Sequence, residues 1–135
     1  NHNLQLRDSA SNTVTLVASR APASASAGDA VPVEIRYMLN SRATSQLRWF
    51  VQLLSPEGVA VAQLDSGPVD NYVGFPELPI NNMLTERAGL VLPADLAPGS
   101  YQIIAGLYNP ELEGAPRLVA ADGREFLALA TLLVE

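Results

Sequence analysis

Apolar residues at every second position are the dominant pattern of this chain. The clearest run is Val31–Leu39, in which apolar side chains occupy the odd positions and Pro32, Glu34 and Arg36 the even ones. A strand with one buried face places its side chains in this way. A similar alternation over Thr13–Ser19 predicts an earlier strand. A short strand around Leu4 and Leu6 is expected to precede both.

A hairpin is the strongest local signal. Two apolar segments, Arg48–Leu54 and Val59–Leu64, flank the sequence Ser55–Gly58. Pro56 sets the backbone angle of the first central turn position, and Gly58 accepts the left-handed angle that lets the second strand re-enter register. We therefore predict two adjacent antiparallel strands here.

Regular alternation lapses from Asp65 to Thr85, where glycine and proline recur. These residues interrupt strand ladders, so the segment is predicted to be a crossover of about twenty residues. Connections of that length are uncommon without a function or internal turns. The crossover is therefore where the sequence places a candidate site.

Strand patterns resume after the crossover. Glu86–Leu92 alternates, and Tyr101–Tyr108 is apolar on both faces, as in a central strand. A short strand is expected near Arg117–Val119. The segment Phe126–Val134 is rich in leucine and alanine, but it is short and follows the Asp122-Gly123 turn, so we predict a strand rather than a helix.

Seven to nine short strands with turns about every ten residues predict an all-β fold, a two-sheet antiparallel β-sandwich of the immunoglobulin-like type. A closed barrel is the second interpretation. The 135 residues fit one domain, 1–135, in which residues 1–3 are expected to be disordered or tag-derived.

Charge and composition exclude some classes of binding partner. The chain carries eight arginines, no lysine and 14 acidic residues, for a net charge of −6, and the arginines are scattered between Arg7 and Arg124. Nucleic acids and anionic membranes require a basic footprint, so neither is expected as a partner. The chain has no cysteine and no apolar run of the ~18 residues that span a bilayer, so direct membrane insertion of this segment is not expected.

Residues for catalysis are scarce. The only histidine is His2, and the common nucleophile, metalloprotease and phosphate-loop motifs are missing. Paired carboxylates could hydrolyse glycosides, but the candidates lie among turn-forming residues and are interpreted as solvated loop acids: Glu111, Glu113, Asp65 and Asp70. We therefore predict no enzymatic activity.

Calcium is a possible ligand of this segment, because Asp65, Asp70 and Asn71 offer oxygen atoms. Their spacing does not match a helix-loop-helix calcium site, and turn formation by Asp and Asn explains the same residues. No metal and no cofactor is predicted.

Aromatic side chains supply the ligand hypothesis. Trp49 and Tyr101 fall in strands and are interpreted as structural core residues, whereas Tyr72 and Phe75 lie in the crossover beside Asn71. Exposed rings stack on sugar faces, so Asn71, Tyr72 and Phe75 are candidate ligand-binding residues. A lid folded over the core is the alternative role of the two rings.

Several segments together resemble a β-sandwich domain found at the extracytoplasmic end of large bacterial membrane proteins, often glycosyltransferase-like ones. The matching segments are Ala27–Tyr37, Phe50–Leu54 with Pro56–Gly58, Val61–Ser66, and Leu92–Tyr101 continuing to Gly106–Pro110. The resemblance implies that Tyr101 makes the corner hydrogen bond of such sandwiches. It also implies a periplasmic or cell-surface accessory domain, tethered through a parent membrane protein.

Two functions follow as expectations. The first is a non-catalytic accessory or interaction module that contacts a protein partner or the rest of its parent chain. The alternative is a carbohydrate-binding module that uses the loop aromatics of the 65–85 crossover.

Overall fold

The computed structural model describes residues 2–66 and 74–135. In these ranges the chain forms nine strands and one short 3-10 turn, Phe75–Glu77. No helix in the described ranges is long and apolar enough to cross a membrane. The strands are β1 (Leu4–Arg7), β2 (Thr13–Arg20), β3 (Ser24–Ala25), β4 (Ala30–Leu39), β5 (Arg48–Leu54), β6 (Ala60–Ser66), β7 (Leu84–Val91), β8 (Gly99–Tyr108) and β9 (Leu127–Val134).

The strands form two sheets. One has the order β1-β2-β4-β7 and the other β3-β9-β8-β5-β6. The predicted two-sheet, immunoglobulin-like sandwich is confirmed, and β8 is a central strand as expected. Apart from an isolated parallel bridge between Leu39 and Ile80, the antiparallel pattern of the described strands has one exception, the two-residue β3, which pairs parallel to β9. This exception arises because the chain leaves the first sheet after Arg20 and crosses to the second, where it runs in the same direction as β9.

One apolar core lies between the sheets. On β4 the odd residues from Val31 to Leu39 are buried, while the even residues face outward or lie partly exposed. Trp49 of β5 occupies the centre, and its ring meets Tyr37 edge to face with 4.9 Å between centroids. Aromatic rings in this arrangement add to the burial energy. Trp49 therefore has the core position that the alternation of β5 predicted.

The predicted hairpin is confirmed. β5 and β6 pair from Trp49–Ser66 to Leu54–Ala60. The Gly58 amide donates to the Ser55 carbonyl oxygen at 2.8 Å, and Gly58 has a φ of 81°. Glycine is the residue that adopts this angle without strain.

Two other segments test the strand expectations. β9 is a strand rather than a helix, as predicted. The expected strand at Arg117–Val119 is wrong, because these residues form only two isolated bridges. Arg117 pairs with Tyr108 of β8 and Val119 pairs with Arg7 of β1, so each end of the segment meets a different sheet.

Tyr101 pins the entry to β8. Its hydroxyl donates a 2.7 Å hydrogen bond to the carbonyl oxygen of Ala97, four residues upstream. This is the geometry of the corner tyrosine in immunoglobulin-like sandwiches. The contact fixes the turn that leads from the first sheet into the second.

Candidate functional site

The predicted loop site is only partly within the described residues. Asn71 and Tyr72 lie outside them, so their ligand-binding role stays a prediction. Phe75 is described, and its side chain is 0% exposed. Its ring centroid lies 6.2 Å from that of Tyr37 and 6.3 Å from that of Trp49. Phe75 is thus a core residue here, and its ring offers no face to a sugar.

The loop carboxylates do not form a metal site in the described ranges, where no group of three or more potential metal ligands comes together. Asp70 lies outside those ranges, and Asp65 is exposed at the end of β6. Glu111 has a structural contact, since its Oε2 accepts a hydrogen bond from the Gln46 amide at 2.6 Å. That contact joins the loops that precede β5 and follow β8.

A buried polar network closes one end of the sandwich. Asp8 accepts hydrogen bonds from the side-chain amides of Asn12 and Asn109 at 3.0 and 2.9 Å. Asn12 also donates to the Ser45 hydroxyl at 3.2 Å. These side chains come from three different loops and satisfy one another, as buried polar groups must. Such mutual satisfaction indicates a structural role.

The opposite end of the four-stranded sheet carries a groove on its outer face, with a volume of about 760 Å³. We call it the outer groove. Its walls are mostly alanine, proline and glycine, with charged residues at one end. The lining residues are Arg20, Ala21, Pro22, Ala30, Pro32, Val33, Glu34, Arg87, Ala88 and Gly89.

The groove exists because β2 does not extend far enough to cover the first four residues of β4. Arg20, the last residue of β2, pairs with Glu34, so within the described ranges no strand pairs with residues 30–33 of β4 on that side. Ala21 and Pro22 turn away toward the second sheet and form one wall. The departure of one strand therefore leaves a strand-sized gap in the first sheet.

Backbone direction shows which groups face the gap. The Asn40 amide donates to Thr13 beside β2, and the Asp29 carbonyl accepts from Leu92 beside β7. Successive residues of a strand point their backbone groups to opposite sides, so the even residues of β4 face β2 and the odd residues face β7. Ala30 and Pro32 thus face the gap, and Pro32 loses no ladder bond there.

Gly89 forms part of the groove floor opposite Pro32, its pairing partner on β4. A Cβ built on Gly89 would meet no described heavy atom within 4 Å, and its φ lies outside the left-handed region. Glycine within a strand costs about 0.5–1 kcal/mol relative to alanine. Packing among residues 2–66 and 74–135 gives no reason for this cost. A strand glycine does allow another molecule to approach the backbone closely.

The apolar surface continues beyond Gly89. Val91 is 66% exposed and pairs with Ala30, which is also exposed. The outward positions at this end of β4 and β7 are therefore small or apolar. The outward face of an antiparallel sheet is usually polar, and an exposed apolar patch marks an interaction surface.

Charged side chains border the groove at one end. Glu34 Oε1 accepts from Arg87 Nε at 3.1 Å, and Glu34 Oε2 lies 3.9 Å from Arg36 Nε. Arg20, Glu34 and Arg36 also line a smaller polar hollow of about 170 Å³ that adjoins the groove. Three arginines against one glutamate leave two net positive charges here, on a chain of net charge −6.

The sequence interpretation missed this surface. Its signals were Pro32 and Gly89, which both interrupt well-patterned strands. Proline within a strand indicates a side without ladder hydrogen bonds, and glycine indicates a bulge or a place where another group approaches the backbone closely. They become informative together only once the register shows that they are partners.

Comparisons with known proteins add little to this picture. No family model matches the chain, and no curated protein matches it. Among solved structures it is similar to a glycosyl hydrolase family 2 member from Bacteroides cellulosilyticus, with 12% identity and a TM-score of 0.41. The match covers 82% of this chain and 15% of that one. The glycosyltransferase-like parent that the resemblance implied finds no support in these comparisons.

Proposed function

We propose that this domain is a non-catalytic interaction module of a larger extracytoplasmic bacterial protein, and that it docks its partner in the outer groove. The observation that carries the proposal is Gly89, a mid-strand glycine at which an added Cβ would contact no atom of the described residues. The extracytoplasmic location is supported by the segment resemblance described above.

The groove has the composition of a docking surface. Its floor is rigid, because β7 is paired with β4 along the whole of its own length, from Ala30–Val91 to Tyr37–Leu84. Its walls are small side chains that lose little conformational entropy when they are covered. A rigid, concave and largely apolar surface with a few polar groups is the usual form of a binding site.

Cysteine labelling tests the docking, because the chain has no cysteine of its own. Ala30→Cys places a thiol in the groove, and Glu57→Cys places a control thiol in the exposed hairpin turn. Each variant is labelled with a membrane-impermeant maleimide, first in the full-length protein on intact cells and then in the purified domain. We expect Ala30→Cys to react at least about tenfold more slowly on cells than in the purified domain, and Glu57→Cys to react equally in both.

The labelling results test docking in the groove and the extracytoplasmic location separately. Equal labelling of Ala30→Cys in cells and in the purified domain would contradict docking in the groove. Failure of Glu57→Cys to label until the cells are lysed would contradict the extracytoplasmic location. Gly89→Leu adds a side chain to the groove floor, where a Cβ meets no described atom, and should expel the partner. In this background Ala30→Cys should be labelled at the same rate on cells as in the purified domain.

A further inference from the structure

We infer that the outer groove binds an extended acidic peptide segment of a partner protein, with an apolar side chain against Pro32 and Gly89 and carboxylates beside Arg20 and Arg87. This inference rests on the proposed docking function and specifies the chemistry of the partner.

The shape of the gap favours an extended peptide. A segment lying beside residues 30–33 of β4 would take the place that β2 vacates after Arg20. The backbone N–H and C=O of Ala30 and the C=O of Pro32 face this space, as the strand alternation shows. Backbone groups at a sheet edge pair with an added strand, and side-chain pockets supply the specificity.

Pro32 limits how the peptide can pair. It has no N–H, so only Ala30 offers both a donor and an acceptor to an added strand. A long ladder is therefore excluded, and most of the contact must come from side chains and from packing on the floor. Gly89 lies on β7, beyond β4 from the place that β2 vacates, so it is an apolar side chain of the peptide that would extend across Pro32 to Gly89, where no Cβ blocks it.

The charged residues at this end of the groove favour a partner peptide with negatively charged side chains. The Arg87 side chain is 76% exposed, and within the described part of the chain its one ion pair is with the carboxylate of Glu34, which Arg36 also approaches. Arg20 lines both hollows and has no carboxylate within ion-pair distance among the described residues. Guanidinium groups bind carboxylates through charge-assisted hydrogen bonds, so acidic side chains fit this end. A lysine of a basic segment would instead face three arginines.

Synthetic peptides test the inference directly. The probe is a capped five-residue peptide with valine at its centre, alanine on either side and glutamate at both ends. Two matched peptides carry lysine in place of glutamate, or serine in place of valine. Binding to the purified domain is followed by shifts of the amide signals of Ala30 and Gly89 and by titration to obtain Kd.

Some variants of the domain should weaken binding of the glutamate peptide, and one should strengthen it. Arg87→Ala and Arg20→Ala should each weaken binding of the glutamate peptide about tenfold, while Arg124→Ala, in the turn before β9, should leave it unchanged. Glu34→Gln removes the internal carboxylate that competes for Arg87, so it should strengthen binding by about threefold. Gly89→Leu should abolish binding and leave the cooperative unfolding transition in place.

The results distinguish this inference from the docking proposal. Equal affinity for the glutamate and lysine peptides, or weaker binding in Glu34→Gln, would overturn the acidic specificity. If Ala30→Cys is protected on cells but no glutamate peptide binds, docking stands and the acidic peptide is wrong. If the glutamate peptide binds and shifts only residues remote from Ala30 and Gly89, the groove is the wrong site.

Discussion

Asp8 and Asn109 lie 101 positions apart in the sequence, and the side-chain amide of Asn109 donates to Asp8 Oδ2 at 2.9 Å. Asn109 is 0% exposed, and its Oδ1 accepts the backbone amide of Glu111 at 3.0 Å. One side chain thus links the loop after β1 to the loop after β8.

Removing this link should destabilise the fold. Asn109→Ala removes two hydrogen bonds, the one that the Glu111 amide donates and one of the two that Asp8 Oδ2 accepts. Each such bond contributes about 0.5–1.5 kcal/mol, so together they contribute about 1–3 kcal/mol. We expect a loss of that size in the free energy of unfolding, measured by urea denaturation. Asn82→Ala, at an exposed position, is the control and should change it by less than about 0.5 kcal/mol. Equal effects of the two substitutions would show that the network contributes nothing.

The corner hydrogen bond of Tyr101 can be measured by removing a single oxygen. Tyr101→Phe loses the 2.7 Å bond to Ala97 and should lower stability by about 0.5–1.5 kcal/mol. Tyr108→Phe is the matched control, because the Tyr108 hydroxyl has no hydrogen-bond partner among the described residues. Thermal unfolding of both variants gives the comparison. A midpoint for Tyr101→Phe that equals that of the control would rule out a stabilising role.

Two strand glycines should respond oppositely to the same substitution. A Cβ on Gly106 would lie 2.5 Å from the Phe50 ring and 2.8 Å from the Glu125 carbonyl oxygen, so Gly106→Ala should cost about 1–3 kcal/mol. Gly89→Ala meets open space and should stabilise the domain by about 0.4–1 kcal/mol. Denaturant midpoints test both. Destabilisation by Gly89→Ala would mean that the fold does need this glycine.

The pH dependence of stability should carry a signature of Tyr37. Burial of its ring and, second, the charge of Glu86 raise the pKa of Tyr37 above its usual value. The folded state therefore keeps this proton where the unfolded chain loses it, which begins near pH 10. Stability is unaffected by this group below that pH and falls as the pH rises through it, by up to about 1.4 kcal/mol per pH unit.

Urea titrations at several alkaline pH values check this effect. Tyr37→Phe should show a shallower loss of stability above pH 10 than the wild-type chain, with equal slopes for both between pH 7 and 9. The slope is the quantity to compare, since the substitution can also change stability at neutral pH. Identical slopes above pH 10 would contradict the expectation.

Local patterns in the sequence predicted most of the fold. The alternation of β4 and the Ser55–Gly58 turn depend on residues within ten positions of one another, so they can be identified without tertiary information. The segment 117–119 was mistaken for a strand because its two ends pair with different strands, which no local pattern records.

The candidate site depended on tertiary structure and was missed. Phe75 lies among glycine and proline residues that indicate an irregular loop, yet its ring packs into the core beside Trp49. The outer groove results from the departure of β2 from its sheet, and its floor is formed by the pairing of Pro32 with Gly89, 57 positions later. Only the register between β4 and β7 brings these two residues together.

The crossing segment 21–23 has a consequence for unfolding. Ala21 forms a wall of the outer groove, and the carbonyl of Ala23 accepts the Leu133 amide of the opposite sheet at 2.9 Å. This short segment thus borders the outer groove through Ala21 and Pro22 and is bonded to the second sheet through Ala23. A bound segment would hold this connection between the sheets in place. Binding should therefore slow the separation of the two sheets and leave the strand pairing within each sheet unchanged.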